Sequence, residues 1–311
     1  RKGLYMNYRD FGKTGEKISA LGFGCMRLPM VDGEVDLAQV NRMVDTFIEA
    51  GFNYFDTAHG YIDGKSEVAI HDCLTSRYDR EDYVLADKLS DWFFEKEEDI
   101  IPLFEKQLEI CGVEYFDIYL FHCLTRNSYP KHKKCNSFEI AKRLKEQGKI
   151  KHIAMSFHDT ADVLDMILTE HPETELVLLQ INYIDWDDES IQSRKCYEVC
   201  RKHDKPIIVM EPVKGGSLVK LPDEAKKVLE DLNGGSPASY AIRFTASFEG
   251  IFMVLSGMSD MDQMNDNISF MKDFVPFSQE EYDAVNSKIL KIYLKIFLFC
   301  FLWVNLQPNK Y

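Results

Sequence analysis

Four things are missing from this sequence. It has no Cys-x-x-Cys pair, no Gly-x-Gly-x-x-Gly loop, no charge-free hydrophobic run of bilayer length and no excess of basic residues. The eight cysteines, at 25, 73, 111, 123, 135, 196, 200 and 300, lie mostly inside apolar runs, with Cys196 and Cys200 spaced for one helix face. Reduced core thiols in a cytoplasmic protein are the expectation, rather than a disulfide framework. Gly22-Phe23-Gly24 lacks a third glycine and runs into Leu28-Pro29, which does not open a helix, so a Rossmann fold is disfavoured. With 37 basic against 51 acidic residues the net charge is −14, which argues against a nucleic-acid partner. It leaves room for an anionic cofactor, which needs only a local basic patch or backbone donors.

The chain ends are the least informative part. Residues 1–7 read as an N-terminal extension without a secretory hydrophobic core, and Met6 is a candidate natural start. Near the other end, Ile296 to Val304 is a run of nine apolar residues, too few to span a bilayer. The wider stretch from Ile289 to Leu306 has 18 residues, with Lys291 and Lys295 inside. A packed or self-associating terminal helix, a marginal membrane anchor and a non-native tail all remain open, with membrane insertion the less favoured.

What is present is a regular alternation. Apolar runs fall at 20–26, 53–58, 83–89, 116–123, 152–157, 176–183, 206–211 and 251–256. Between them, apolar residues recur at spacings of three and four, as in Val40/Met43/Val44/Phe47. Continuous apolar strands alternating with amphipathic helices indicate parallel strands covered on the outside, and eight of them favour a closed α/β barrel. The expected division is a (β/α)8 barrel over 8–274, opened by a short hairpin from Tyr8 to Ile18, with a helical, apolar segment over 275–311.

Three of these runs end in ionisable residues. Asp56 closes the second, with Tyr61 five residues on; Lys88 closes the third and His122 the fourth. In a parallel barrel such positions converge at one mouth. A phenol beside an ammonium is a candidate proton donor, because the cation favours the phenolate and lowers the phenol pKa. Singly, each residue has a plainer role as half of a structural ion pair or as a core histidine. All four at successive strand ends favour a site.

Phe55-Asp56-Thr57-Ala58 with Tyr61, Asp87-Lys88, and Leu120-Phe121-His122 resemble the catalytic tetrad of the aldo-keto reductases, and the resemblance runs from about Tyr8 to Phe274. It implies a nicotinamide-dependent reductase of small carbonyl compounds, using NADPH or NADH. Tyr61 would be the proton donor, Lys88 with Asp56 would lower its pKa, and His122 would orient the carbonyl. The resemblance also implies cofactor contacts at Gly24 and Met26 after the first strand, and at Ser156 and Gln180 for the carboxamide. Phe157 stands where many relatives have asparagine, which leaves His158 as a substitute. Met210 would pack on the nicotinamide, with Gly215 and Gly216 near the pyrophosphate. Gly257, Ser259, Gln263 and Asn267 would hold the adenosine, at a helix starting near Asp260. Gln263 and Met258 are neutral where NADP-preferring members often carry a cation, so NADH use is expected to compete, unless Lys214 reaches the phosphate. A subgroup sharing Leu21-Gly-Phe-Gly-Cys-Met-Arg-Leu-Pro29 often continues into a ferredoxin-like segment. With only Cys300 beyond position 200, no cysteine-ligated cluster can be built from this tail. Two rivals stand beside the reductase: a nucleotide-sensing subunit with little turnover, and a Schiff-base lyase using Lys88.

Overall fold

The computed structural model describes residues 8–10, 17–232 and 234–293. Eight parallel strands close into a barrel: β1 (Leu21–Gly24), β2 (Tyr54–Asp56), β3 (Val84–Ser90), β4 (Phe116–Leu124), β5 (Ile150–Phe157), β6 (Leu176–Gln180), β7 (Ile207–Met210) and β8 (Ile251–Ser256). They follow one another around the ring in chain order, and β8 closes on β1 through Leu255↔Gly22. All eight lie within or next to the runs expected from sequence. The first is shorter than expected, because Cys25–Arg27 turns away as a 3-10 helix.

Helices form where the three-four spacing predicts them. In α1 (Leu37–Glu49), Asp36 accepts from Gln39 N at 3.0 Å as the N-cap, and Val40, Met43, Val44 and Phe47 are buried on one face. Two core layers result. Tyr54, Ala86, Leu120, Ala154, Leu178 and Ile208 fill the barrel, and a larger cluster lies between strands and helices. The N-terminal hairpin pairs Tyr8–Asp10 with Lys17–Ser19, and Ile18 joins the inner layer. The turn of that hairpin, residues 11–16, lies outside the described residues, as does the apolar run 296–304. Among the described residues no helix is long and apolar enough to cross a membrane.

This topology brings Gly24, Asp56, Gln180, Met210 and Ser256, each the last residue of its strand, to one end of the barrel. Lys88, His122 and Ser156 lie within three residues of the ends of β3, β4 and β5.

Candidate active site

Lys88 is fully buried, and its Nζ donates to Asp56 Oδ1 and, at 2.7 Å, to the Thr57 carbonyl. It lies 4.6 Å from the centroid of the Tyr61 ring and also interacts with the phenol oxygen. Burial works against the ammonium, but Asp56 and then Tyr61 outweigh it and hold the Lys88 pKa above its ordinary value. Burial raises the Asp56 carboxyl while Lys88 pulls it back. With Nζ surrounded by acceptors, the charged pair is the state the geometry supports.

The Tyr61 phenol departs from the sequence expectation. Burial raises its pKa, Lys88 lowers it and Asp56 raises it again, and the net direction is upward. The cation is largely neutralised by its own carboxylate, so desolvation of the phenolate wins. Tyr61 is therefore a neutral O–H at working pH.

His122 meets Tyr61 edge to face, with ring centroids 5.7 Å apart, and its Nδ1 lies 2.7 Å from Ser90 Oγ. Burial, then Lys88 and His158, lower its pKa to about 2, so the imidazole is neutral. In the tautomer in which the Ser90 hydroxyl donates to Nδ1, Nε2 carries the proton and is a donor for a ligand oxygen. The pairing register of β4 with β5 shifts between Phe121 and Leu124, and Cys123 adopts φ 53°. Left-handed backbone also follows Tyr61, at Ile62 and Asp63, and Met210, at Glu211. Strained residues of this kind persist where surrounding structure over-determines them, commonly at functional sites.

A groove of about 710 Å³ opens over these groups. Of the residues proposed from sequence, Gly24, Met26, Asp56, Tyr61, His122, Ser156, Met210, Gly215, Gly216, Gly257, Ser259, Gln263 and Asn267 line it. Lys88 sits behind the wall. Gln180 does not line the groove: its Nε2 donates to Asp185 at 2.8 Å, and it borders a separate cavity of about 170 Å³. His158 borders both spaces and lies 3.2 Å from Ser156 Oγ.

The glycines keep backbone bare along the groove. A Cβ at Gly257 would lie 3.5 Å from Arg27 Cδ, and Gly215, at φ 61°, would place one 3.8 Å from both Arg27 and Glu211. At the far end, the helix Met261–Lys272 is capped by Asp260, which accepts from Gln263 N at 2.8 Å and from Gln263 Nε2 at 2.7 Å. Gln263 Oε1 in turn accepts from Ser259 N at 3.0 Å. Met258 is buried, and Lys214 is paired with Asp185, so neither lies free for a phosphate. The cations in the groove wall are Arg27, 3.9 Å from Glu211, and exposed Lys220. Long, glycine-lined and ending at a helix N-terminus, the groove has the form a dinucleotide requires.

Sequence reasoning passed over Trp92 and Arg27. Trp92 is 51% exposed, lines the groove and lies 5.0 Å from the His122 ring. A tryptophan just past the strand that carries Lys88 was the available signal.

The comparisons agree with this architecture. The family model described as "Aldo/keto reductase family" matches residues 20–290. An uncharacterised oxidoreductase of Bacillus subtilis is 21% identical, over 91% of this chain and 96% of its own. An aldo-keto reductase of Bacillus halodurans in its holo form superposes with a TM-score of 0.74 at 22% identity, covering 91% of this chain and 96% of that one. An aldo-keto reductase of Klebsiella pneumoniae in complex with NADPH has a TM-score of 0.71 at 17% identity, covering 88% and 92%. At these identities the structural likenesses speak to the fold, while the family match spans most of the chain: this protein belongs to the aldo/keto reductase family.

Proposed function

We propose that the chain reduces an aldehyde or ketone with a nicotinamide dinucleotide, using Tyr61 as the proton donor. The observation that carries this reading is a neutral, half-buried phenol set against the charged Lys88–Asp56 pair and beside neutral His122, at one end of a dinucleotide-sized groove. When bound, the cofactor supplies the hydride. His122 Nε2–H holds the carbonyl oxygen, and Tyr61 O–H delivers the proton to that oxygen as the alkoxide develops. Lys88, under the ring, stabilises the phenolate left behind. Ser156 and His158 are the polar groups proposed for the carboxamide, with Met210 packing on the ring. Asn267, whose Nδ2 donates to Ser256 Oγ at 3.2 Å, would help shape the adenosine end.

A Schiff-base lyase needs a neutral lysine, and Lys88 is held protonated by Asp56. A nucleotide-sensing role predicts tight cofactor binding with negligible turnover, which a carbonyl panel separates from the reductase.

The test is a fluorescence-quenching titration with NADPH and NADH, then a carbonyl panel with the preferred cofactor. Tyr61→Phe keeps the ring and removes the acid. Its kcat should drop about 10²–10⁴-fold with little change in cofactor affinity. Near-normal turnover in that variant would remove Tyr61 from the role.

A further inference from the structure

On the outer side of β3, facing the helices, lie titratable groups that the chemistry above does not use. Glu67 on α2 (Lys65–Ile70), Asp87 on β3 and Cys111 at the end of α3 (Ile100–Cys111) are buried, with one polar atom of each within 4.8 Å of the others. Asp87 Oδ1 accepts the Lys88 backbone N–H at 2.7 Å, and Gln107 Nε2 donates to the Lys88 carbonyl at 3.0 Å. Glu67 Oε2 lies 2.7 Å from His59 Nδ1, two residues before Tyr61. The two carboxyls thus hold, from outside the barrel, the His59 side chain just before the acid and the backbone N–H of the lysine that serves it.

Glu67 Oε1 is buried without a hydrogen bond of its own; the nearby Gln107 amide, which lowers the Glu67 pKa somewhat, is already engaged by the Lys88 carbonyl. Beside Glu67 lies the Asp87 carboxyl. Two buried carboxylates so close do not both ionise at neutral pH, and a proton between them supplies the missing hydrogen bond. Burial raises both: Asp87 well above the ordinary range with Glu67 opposing its charge, Glu67 to about 7 with Asp87 donating to it. The other groups facing the pair are His59 from the β2–α2 loop, Lys88 from β3, Lys106 and Cys111 from α3, and Tyr119 from β4. Burial holds His59 low and the Cys111 thiol and Tyr119 phenol high, so those three are neutral and the two lysines are the cations.

We propose that Glu67 and Asp87 form a positioning unit, a carboxyl pair sharing one proton, that locks residues 59–61 against the Lys88 strand. The inference rests on the reductase reading for its kinetic consequences, but not for the protonation of the pair. Asp87→Leu removes both the acceptor for Lys88 N–H and the shared proton. Its kcat should fall about tenfold or more, because small misplacements of catalytic groups are costly. Asp87→Asn keeps an acceptor and sets a permanent N–H beside Glu67, so it should recover at least half of that loss. In the unsubstituted protein kcat should decline above neutral pH as the pair loses its proton, and Asp87→Asn should lack that decline. An asparagine variant as impaired as the leucine one, or one that keeps the alkaline decline, overturns the proposal.

Protonation has its own readout. The infrared difference spectrum between the unsubstituted protein and Asp87→Asn at pH 7 should contain a protonated-carboxyl C=O band. Its absence overturns the shared proton. If no carbonyl compound is reduced, the reductase reading fails, and the band still decides this one. Should Asp87→Leu not fold, the asparagine variant and the band carry the test.

Discussion

His132 shows at the scale of one residue what the sequence conceals. It is fully buried, both ring nitrogens lack partners, and its ring sits edge-on between Phe94 and Phe121, at 5.5 Å from each. Nothing in Tyr129-Pro-Lys-His132-Lys-Lys134 marks that histidine as a core residue, since its neighbours in sequence are cations. Burial and then Lys131 lower its pKa from 6.5 to about 4. The sign follows directly: the unfolded chain takes up the proton first, so stability is complete above about pH 6.5 and is lost as pH falls toward 4. By pH 5 the loss is about 2 kcal/mol. Urea midpoints at pH 7 and pH 5 for the unsubstituted protein and His132→Leu check it: the leucine variant should lose less stability over that interval. Parallel behaviour of the two proteins refutes the argument. Tyr61 carries the same lesson, because its position was readable from spacing but its pKa direction was not. A cation nearby argues for a lowered value, and only the structure shows that cation already paired and the phenol desolvated.

Among the elements, strands were legible and their exits were not. Apolar runs of six to eight residues between helical patterns locate all eight barrel strands, since only strands covered on both faces have that composition. Side chains just past the strands obey local bonding that no periodicity encodes. Gln180 turns to Asp185 for that reason, and Gln263 folds back onto Asp260. The start of the helix Met261–Lys272 consequently already holds a carboxylate where the proposed adenosine site would bring a 2′-phosphate, and Asp266, engaged by Ser236, lines the same end of the groove. Discrimination in favour of NADPH should therefore be below tenfold, or less than ~1.4 kcal/mol. Gln263→Arg should raise the NADPH:NADH affinity ratio and its salt sensitivity. Asp260→Asn, which keeps an N-cap side chain while removing the charge, should raise the ratio with little loss of stability. A hundredfold NADPH preference in the unsubstituted protein would place the phosphate elsewhere, with Lys220 the first residue to examine.

At the scale of the molecule, the barrel depends on its shortest contacts as much as on its longest strands. β1 has four residues and joins β8 to β2, so it closes the ring on which every strand-end group is mounted. Gly22 sits at that seam, paired with Leu255 and Tyr54. A Cβ at this position would collide with Met253 Sδ and lie 2.9 Å from Tyr54 Cδ1 and 3.0 Å from Leu255 Cδ1. Its φ is not in the left-handed region, so space alone requires the glycine. Composition could suggest a tight strand end there, but not which residues of β2 and β8 would fill the gap. Gly22→Ala should destabilise by about 1–3 kcal/mol through overpacking. Met253 can yield and the Tyr54 ring, fixed in the inner layer, cannot. Adding Met253→Ala opens the space, so the double variant should be more stable than the two single effects summed, by about 1 kcal/mol. Because the ring is closed, the change should appear as a shift of the urea midpoint with unchanged slope. Strict additivity would mean that Gly22 and Met253 do not compete for that volume, and a shallower slope would mean that the barrel does not unfold as one unit.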